Sequence, residues 1–331
     1  MIVRPIERLL PAYGRSADSL LVVTTSFERR CLGFAERALA QVPPYRVDRT
    51  LLISYSDRGD RSVKDRVKRF AHTLKSYAER LTVKKKVDSR FLEPFEITEA
   101  YEIFLDCFRS IDHDSSVVVD VSTMTKLHVF YLLEAAWASK RVALLRFVYT
   151  RARYGRYDTL SWGAEEPIIL PMFGTPRLAH HKQEHLVLIC GLEPDRAYSI
   201  WRRFGQARCT QVYVDSGADD PDRCAYRAVN MNSFDPIAKK QFVNAFAPLE
   251  SANVLQQIYI DSKSREEYLY VAPLATKWEI VATWHFFRRL GQEPDAGILY
   301  CAPGRLNVAG HTLEELGECI SADVWDIRTA G

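Results

Sequence analysis

The segment VVVDVSTMTKLHVFYLLEAA, residues 117–136, reads as a buried strand that turns into a helix, with hydroxyl side chains and one lysine at the turn. Asp120 closes the apolar run. From Leu127 onward apolar residues recur at helical spacing, the pattern of an amphipathic helix. Ser122 stands where an N-cap belongs, so a helix N-terminus is expected to open at the carboxyl end of a strand. Backbone N–H groups and the positive end of the helix dipole favour an anion there. The hydroxyls of Ser122, Thr123 and Thr125 can add hydrogen bonds. Lys126 lies four residues after Ser122, and helical side chains lean toward the N-terminus, so its ammonium can reach the same anion.

Outward from this joint, strand and helix patterns alternate. Apolar runs ending in small polar or acidic residues occur at 20–25, 51–54, 117–120 and 142–149, and helical patterns at 31–41, 61–78, 98–108 and 127–139. Such alternation implies a mostly parallel sheet, whose ligands bind at the carboxyl ends of its strands. Glycine and proline break the pattern between Tyr154 and His185. It then resumes with strands at 185–191, 210–215, 267–273 and 296–302 and helices at 196–204, 238–246 and 277–290. The fold class expected is α/β, with two tandem Rossmann-like halves, mostly parallel sheets and a pseudo-two-fold pairing. Residues 1–165 form the first domain, 166–184 a connector and 185–331 a second, diverged domain.

Aligning the halves supports duplication. LVVTTSFERR lies over LVLICGLEPD, matching Ser26 to Gly191 and Glu28 to Glu193. TLLISYSD lies over CTQVYVD, matching Asp57 to Asp215, and Thr125-Lys126 lies over Thr276-Lys277. The candidate ligand-binding residues are therefore Thr25, Ser26, Glu28, Asp57, Asp120, Ser122, Thr123, Thr125 and Lys126, with Gly191, Glu193, Asp215, Thr276 and Lys277 in the second half.

The 331 residues are 47% hydrophobic and 26% charged, enough for one large or two medium cores. Seven cysteines are scattered singly without a Cys-x-x-Cys pair, which argues against a zinc ribbon or a disulfide framework. The start lacks the apolar core of a signal peptide and no stretch is long enough to span a bilayer, so a cytoplasmic protein without a membrane partner is expected. The net charge is +3, with the first half the more basic. In DRGDRSVKDRVKRF, Arg61, Lys64 and Lys68 share one helical face, and Val63, Val67 and Phe70 another. That is first a solvated helix face; nucleic acid is the weaker reading, since no aromatic platform accompanies the charge.

No Gly-x-Gly-x-x-Gly follows the first strand and no Gly-x-x-x-x-Gly-Lys-Ser/Thr occurs, which argues against a dehydrogenase or an ATPase; no cofactor is called for. HHKQEH spaces His181 and His185 four apart around Glu184, but it precedes a strand and lacks a third ligand, so no metal is expected.

DVSTMTK fits the Asp/Asn-x-Ser/Thr-x-x-x-Lys/Arg motif, and the chain here resembles the CRISPR-associated Rossmann fold (CARF) family over about residues 18–150. TTSFERR sits where that family has its polar loop. The resemblance implies a paired Rossmann-like domain that binds cyclic oligoadenylates in antiviral defence, and a tandem pair resembles the related SAVED domains. It matches Asp120, Ser122 and Lys126 to the second motif and Thr25 and Ser26 to the first loop. The second half departs, with Ala272-Pro273 in place of the Asp and Ser, so an asymmetric ligand fits better than a symmetric ring. RLNVAGH has the Arg and His spacing of HEPN ribonucleases, the usual effectors of such domains, but Gly310 argues against a helix there.

The resemblance implies a nucleotide sensor or regulatory subunit working with a separate effector protein. One alternative is a metal-independent ring nuclease. There a ribose 2′-OH would attack the adjacent phosphate, with Glu28 as base and Lys126 or Lys277 stabilising the developing charge. The other alternative is a non-catalytic subunit that binds protein through the same fold.

Overall fold

The computed structural model describes residues 1, 3–6, 18–42, 44–55, 61–152, 161–174, 183–191, 194–204, 207–215, 238–291, 295–306 and 316–326. The chain divides into two compact units, Met1–Arg153 with Thr312–Gly331, and Tyr154–His311.

In the first unit, β2 (Asp18–Thr24), β3 (Val47–Tyr55), β4 (Thr82–Leu92), β5 (Ser115–Asp120) and β6 (Val142–Thr150) run parallel in the order β4-β3-β2-β5-β6. Antiparallel β15 (Cys319–Asp326) extends the sheet beyond β6, and the two-residue β1 (Arg4–Pro5) lies beyond it. Helices α1 (Gly33–Ala40) and α2 (Arg61–Leu81) pack on each other, as do α3 (Thr98–Arg109) and α4 (Lys126–Ser139). Consecutive residues Leu20 to Val23 are all buried, as expected of a central parallel strand covered on both faces.

The second unit repeats this plan. Strands β9 (Gln183–Cys190), β10 (Arg208–Asp215), β11 (Lys239–Asn244), β12 (Glu267–Pro273) and β13 (Ala296–Tyr300) run parallel in the order β11-β10-β9-β12-β13, and antiparallel β8 (Ile168–Gly174) pairs with β13. A separate ribbon joins β7 (Ser161–Ala164) to β14 (Pro303–Leu306). The helices are α5 (Pro194–Arg203), α6 (Pro248–Ser264) and α7 (Lys277–Leu290), with α6 packed on α7. Among the described residues no helix is long and apolar enough to cross a membrane.

In each sheet the first long strand lies in the middle, two strands follow on one side, and the chain then returns to the other. The strand order thus reverses between β2 and β5 in one unit and between β9 and β12 in the other, the place where doubly wound sheets hold ligands. Helices α4 and α7 start at this reversal, and Lys126 and Lys277 are each the first helical residue after an extended threonine cap.

Five expectations need correction. Residues 319–326, assigned from sequence to the second domain, form a strand of the first sheet, because their partners on β6 are remote in sequence. Within residues 238–246, expected to be helical, Lys239–Asn244 form strand β11, and β4 was not anticipated. Both are charge-rich edge strands with exposed lysines, the composition that discourages further pairing and hides an apolar signal. The expected connector contains β8. Finally, α4 is not amphipathic: it is buried from Leu127 through Ala136, including His128 and Glu134.

Gly33, at the start of α1, sets the fit of that helix against β6. A Cβ there would lie 2.6 Å from Thr150 Oγ1 and 2.7 Å from Thr150 Cγ2. Its φ of −60° is ordinary, so packing alone demands the glycine. Gly33→Ala should lower the unfolding free energy in urea by about 1–3 kcal/mol. Adding Thr150→Ala should recover part of the loss, and an unaffected Gly33→Ala would contradict this packing.

Candidate functional site

The carboxyl ends of β2 and β5 are tied by Thr24 and Thr123, whose Oγ1 atoms lie 2.9 Å apart, with Thr123 Oγ1 also donating to the Thr24 carbonyl at 3.1 Å. Asp120 Oδ1 accepts from the Ser122 backbone N–H at 2.9 Å and from the Ser122 hydroxyl. Ser122 Oγ in turn accepts from the Thr150 N–H at 2.8 Å, joining the turn to β6. The bonds that join Asp120, Ser122 and Thr150 are buried, so Asp120 and Ser122 hold the chain's own turn.

That geometry displaces the expected cap. Because Asp120 holds Ser122 in the turn, the helix starts later. Thr125 is extended (φ −64°, ψ 148°) and its Oγ1 accepts from the His128 N–H at 3.2 Å. No acidic residue lies in the first turn of α4. Ser26, Thr123, Thr125 and Lys126 are half-buried and so reachable from solvent, whereas Thr25, Glu28, Asp120 and Ser122 are buried. Thr25 is 1% exposed and, among the described residues, its Oγ1 has no hydrogen-bond partner.

Three residues missed in the sequence support this joint. The Glu96 carbonyl can only accept, so His128 Nε2, 2.9 Å away, carries the ring proton. Nδ1 then accepts from the Tyr55 hydroxyl at 2.9 Å, and the Tyr55 oxygen accepts from the Thr125 N–H at 3.4 Å. Tyr55 ends β3, so this chain of bonds fixes the start of α4 to a third strand. Burial lowers the His128 pKa from 6.5 to about 4, against the opposing pull of the Glu96 carbonyl and carboxylate. The third residue is Arg30, whose Nε and Nη2 bind Glu28 Oε2 and Oε1 at 2.7 and 3.0 Å, with Tyr149 Oη 3.4 Å from Nη1. Ser26 Oγ accepts from the Glu28 N–H at 3.2 Å. A carboxylate clamped by two charge-assisted hydrogen bonds is a poor general base, which weighs against Glu28 in catalysis. Burial raises the Cys31 thiol well above its usual range, and Asp120 and Glu28 push the same way, so it is neutral beside the site.

The equivalent joint of the second unit leaves Thr276 and Lys277 half-buried too, but it carries a carboxylate of its own. Thr276 caps α7 by accepting from the Trp278 N–H at 3.2 Å, and Glu279 Oε2 accepts from the Thr276 N–H at 3.0 Å and from its hydroxyl. This capping box puts the protein's own carboxylate where an external anion would sit. Gly191 packs against backbone: a Cβ there would lie 2.6 Å from the Leu274 carbonyl oxygen and 2.7 Å from Ala275 Cα. Asp215 ends β10, its carbonyl accepting from the Ala245 N–H at 2.9 Å. Asp57, Glu193 and His181 lie outside the described residues. His185 is a core residue, with Nδ1 2.6 Å from Ser262 Oγ and Nε2 2.8 Å from Thr210 Oγ1. Arg305 of RLNVAGH lies on a strand.

The chain matches no family model and no curated protein. Among solved structures, the cytoplasmic domain of a prokaryotic cation chloride cotransporter is similar at 10% identity, over 87% of this chain and 96% of that one, with a TM-score of 0.23. A universal stress protein from Archaeoglobus fulgidus DSM 4304 is similar at 8% identity, over 87% of this chain and 97% of that one, with a TM-score of 0.24. Likenesses this low carry no argument about ligand or partner.

Two outcomes follow from these contacts. Glu28→Ala strands a buried guanidinium and should cost about 3–5 kcal/mol in urea unfolding, whereas Glu28→Leu with Arg30→Met should be far less damaging. Equal losses in the single and double variants would contradict a structural ion pair. The folded-state pKa of His128 is depressed, so its contribution is complete above pH 6.5 and is lost as pH falls toward about 4, worth on the order of 3 kcal/mol. His128→Gln should flatten that part of the stability–pH curve. A residual slope remains from His185, whose pKa burial lowers to about 3.

Proposed function

We propose that the protein is a nucleotide-responsive regulatory subunit that seats an anionic, cyclic oligoadenylate-like ligand at the β2–β5 joint of its first unit. One observation carries the reading. At the reversal of strand order, half-buried Thr123, Thr125 and Lys126 lie at a helix start with no acid in its first turn and half-buried Ser26 lies in the loop after β2, while the equivalent start in the second unit holds its own Glu279. A helix N-terminus with hydroxyl donors and an ammonium suits a phosphate. The capping box at the second joint favours one asymmetric site per chain over a two-fold symmetric one. Sensing is favoured over ring cleavage because Glu28, the candidate base, is held by Arg30. The resemblance of DVSTMTK to the CARF motif supplies the ligand class, antiviral signalling as the setting, a cytoplasmic location and a separate effector as partner.

The test is a panel of cyclic and linear oligoadenylates read by thermal stability and calorimetry. A ligand at a hundred times its Kd should stabilise the protein by about 2.7 kcal/mol. Lys126→Ala should weaken binding about tenfold or more, through loss of a charge-assisted bond worth roughly 1.5–3 kcal/mol. Lys277→Ala should leave affinity unchanged. No response across the panel would favour a protein-binding subunit, and linear products from purified wild-type protein without metal would favour the ring nuclease.

A further inference from the structure

Helix α2 turns its apolar side inward, with Val63, Phe70, Leu74, Ala78 and Leu81 buried. Its outer face is basic. Arg61, Lys64, Lys68 and Lys75 recur at i, i+3, i+7 and i+14, one stripe of the helix, and all four are exposed. At 1.5 Å per residue the stripe is about 21 Å long. Arg69 and Arg80 are exposed on the same helix, whose only acids among the described residues are Asp65 and Glu79. These stand four residues after Arg61 and Lys75, yet among the described residues none of the four stripe cations has an ion pair. The stripe is therefore open to an outside partner.

No aromatic residue interleaves with this stripe in sequence, and the fold supplies one. Helix α2 packs on β4, the edge strand of the first sheet, where Phe91 is 62% exposed. Side chains alternate along a strand, so Val87, Ser89 and Phe91 share a face. Val87 packs against the cluster that holds Phe70, Leu74 and Leu81 of α2, so Phe91 stands on the face of the sheet that α2 covers. It pairs in register with Ser54 near the end of β3, which puts it at the end of the sheet where α2 begins with Arg61 and Lys64.

We propose that the α2 and β4 face of the first unit binds single-stranded nucleic acid, with the basic stripe tracking phosphates and Phe91 stacking on a base. A duplex hides its base faces and a carboxylate surface has none, so an exposed aromatic ring at the end of a row of cations selects a single strand. A membrane surface is disfavoured, because the apolar side of α2 is already buried in the core. This face uses no residue of the β2–β5 joint and does not rest on the function proposed for it.

Fluorescence anisotropy of the full chain with labelled oligouridylate and oligothymidylate of about 16 nucleotides tests the proposal, and neither probe carries adenine. Both should bind at low salt, the tighter of the two naming the sugar recognised. The logarithm of the association constant should fall against that of salt with a slope of about −3, the value for four phosphates on a single strand. Lys64→Ala with Lys68→Ala should weaken binding about tenfold and bring the slope to about −1.4. Phe91→Ala should weaken it about fivefold or more at an unchanged slope, with no effect on a duplex of the same length. Lys263→Glu, an exposed change on α6, should leave binding as it is. Failure of both oligomers to bind, or binding that the paired lysine change leaves intact, would overturn the proposal. So would a Phe91→Ala protein that holds the single strand as the wild type does, the mark of a general polyanion face, or binding to vesicles of anionic phospholipid and to neither oligomer.

Discussion

Everything at the first unit's joint follows from one demand: a chain leaving a buried parallel strand must satisfy its backbone donors before a helix can take over. Asp120 answers for Ser122, Ser122 for Thr150, Thr125 for His128 and Tyr55 for Thr125. These bonds tie the carboxyl ends of β3, β5 and β6 to the start of α4, and Thr24 with Thr123 adds β2. Since the burial of Asp120 and Ser122 is matched by partners, the turn is rigid. A rigid turn leaves Thr123 and Lys126 at a defined place beside a helix N-terminus.

The second unit meets the same demand differently. Its strand ends in Ala272 and Pro273, with no carboxylate to hold a turn, and its helix is capped by Thr276 together with Glu279. Gly191 lets the backbone after β9 close onto Leu274 and Ala275. One frame therefore carries two outcomes: a joint with accessible hydroxyls and a lysine, and a joint that has filled its own anion position.

Much of this was legible in sequence, because local pattern encodes it. The run from Val117 into α4 and the match of Thr125-Lys126 to Thr276-Lys277 rest on strand and helix signals a few residues long. Other features were hidden for physical reasons. β4 and β11 sit at sheet edges, where lysines are tolerated and apolar runs are not required. The place of β15 depends on pairing with residues some 170 positions away. Ser122 looked like a cap because nothing local reveals that Asp120 claims it. Arg30, Tyr55 and His128 gain meaning only through partners on other elements, although an arginine two residues after Glu28 was a signal that could have been weighed.

The most direct measurement is the footprint of a bound oligoadenylate on backbone hydrogen exchange. With the ligand seated at the first joint, added protection should be centred on residues 120–128 and on the loop after Thr24, with residues 272–279 of the second unit showing no footprint. Local protection at residues 272–279 instead, or a bound ligand that leaves 120–128 unchanged, would contradict the assignment.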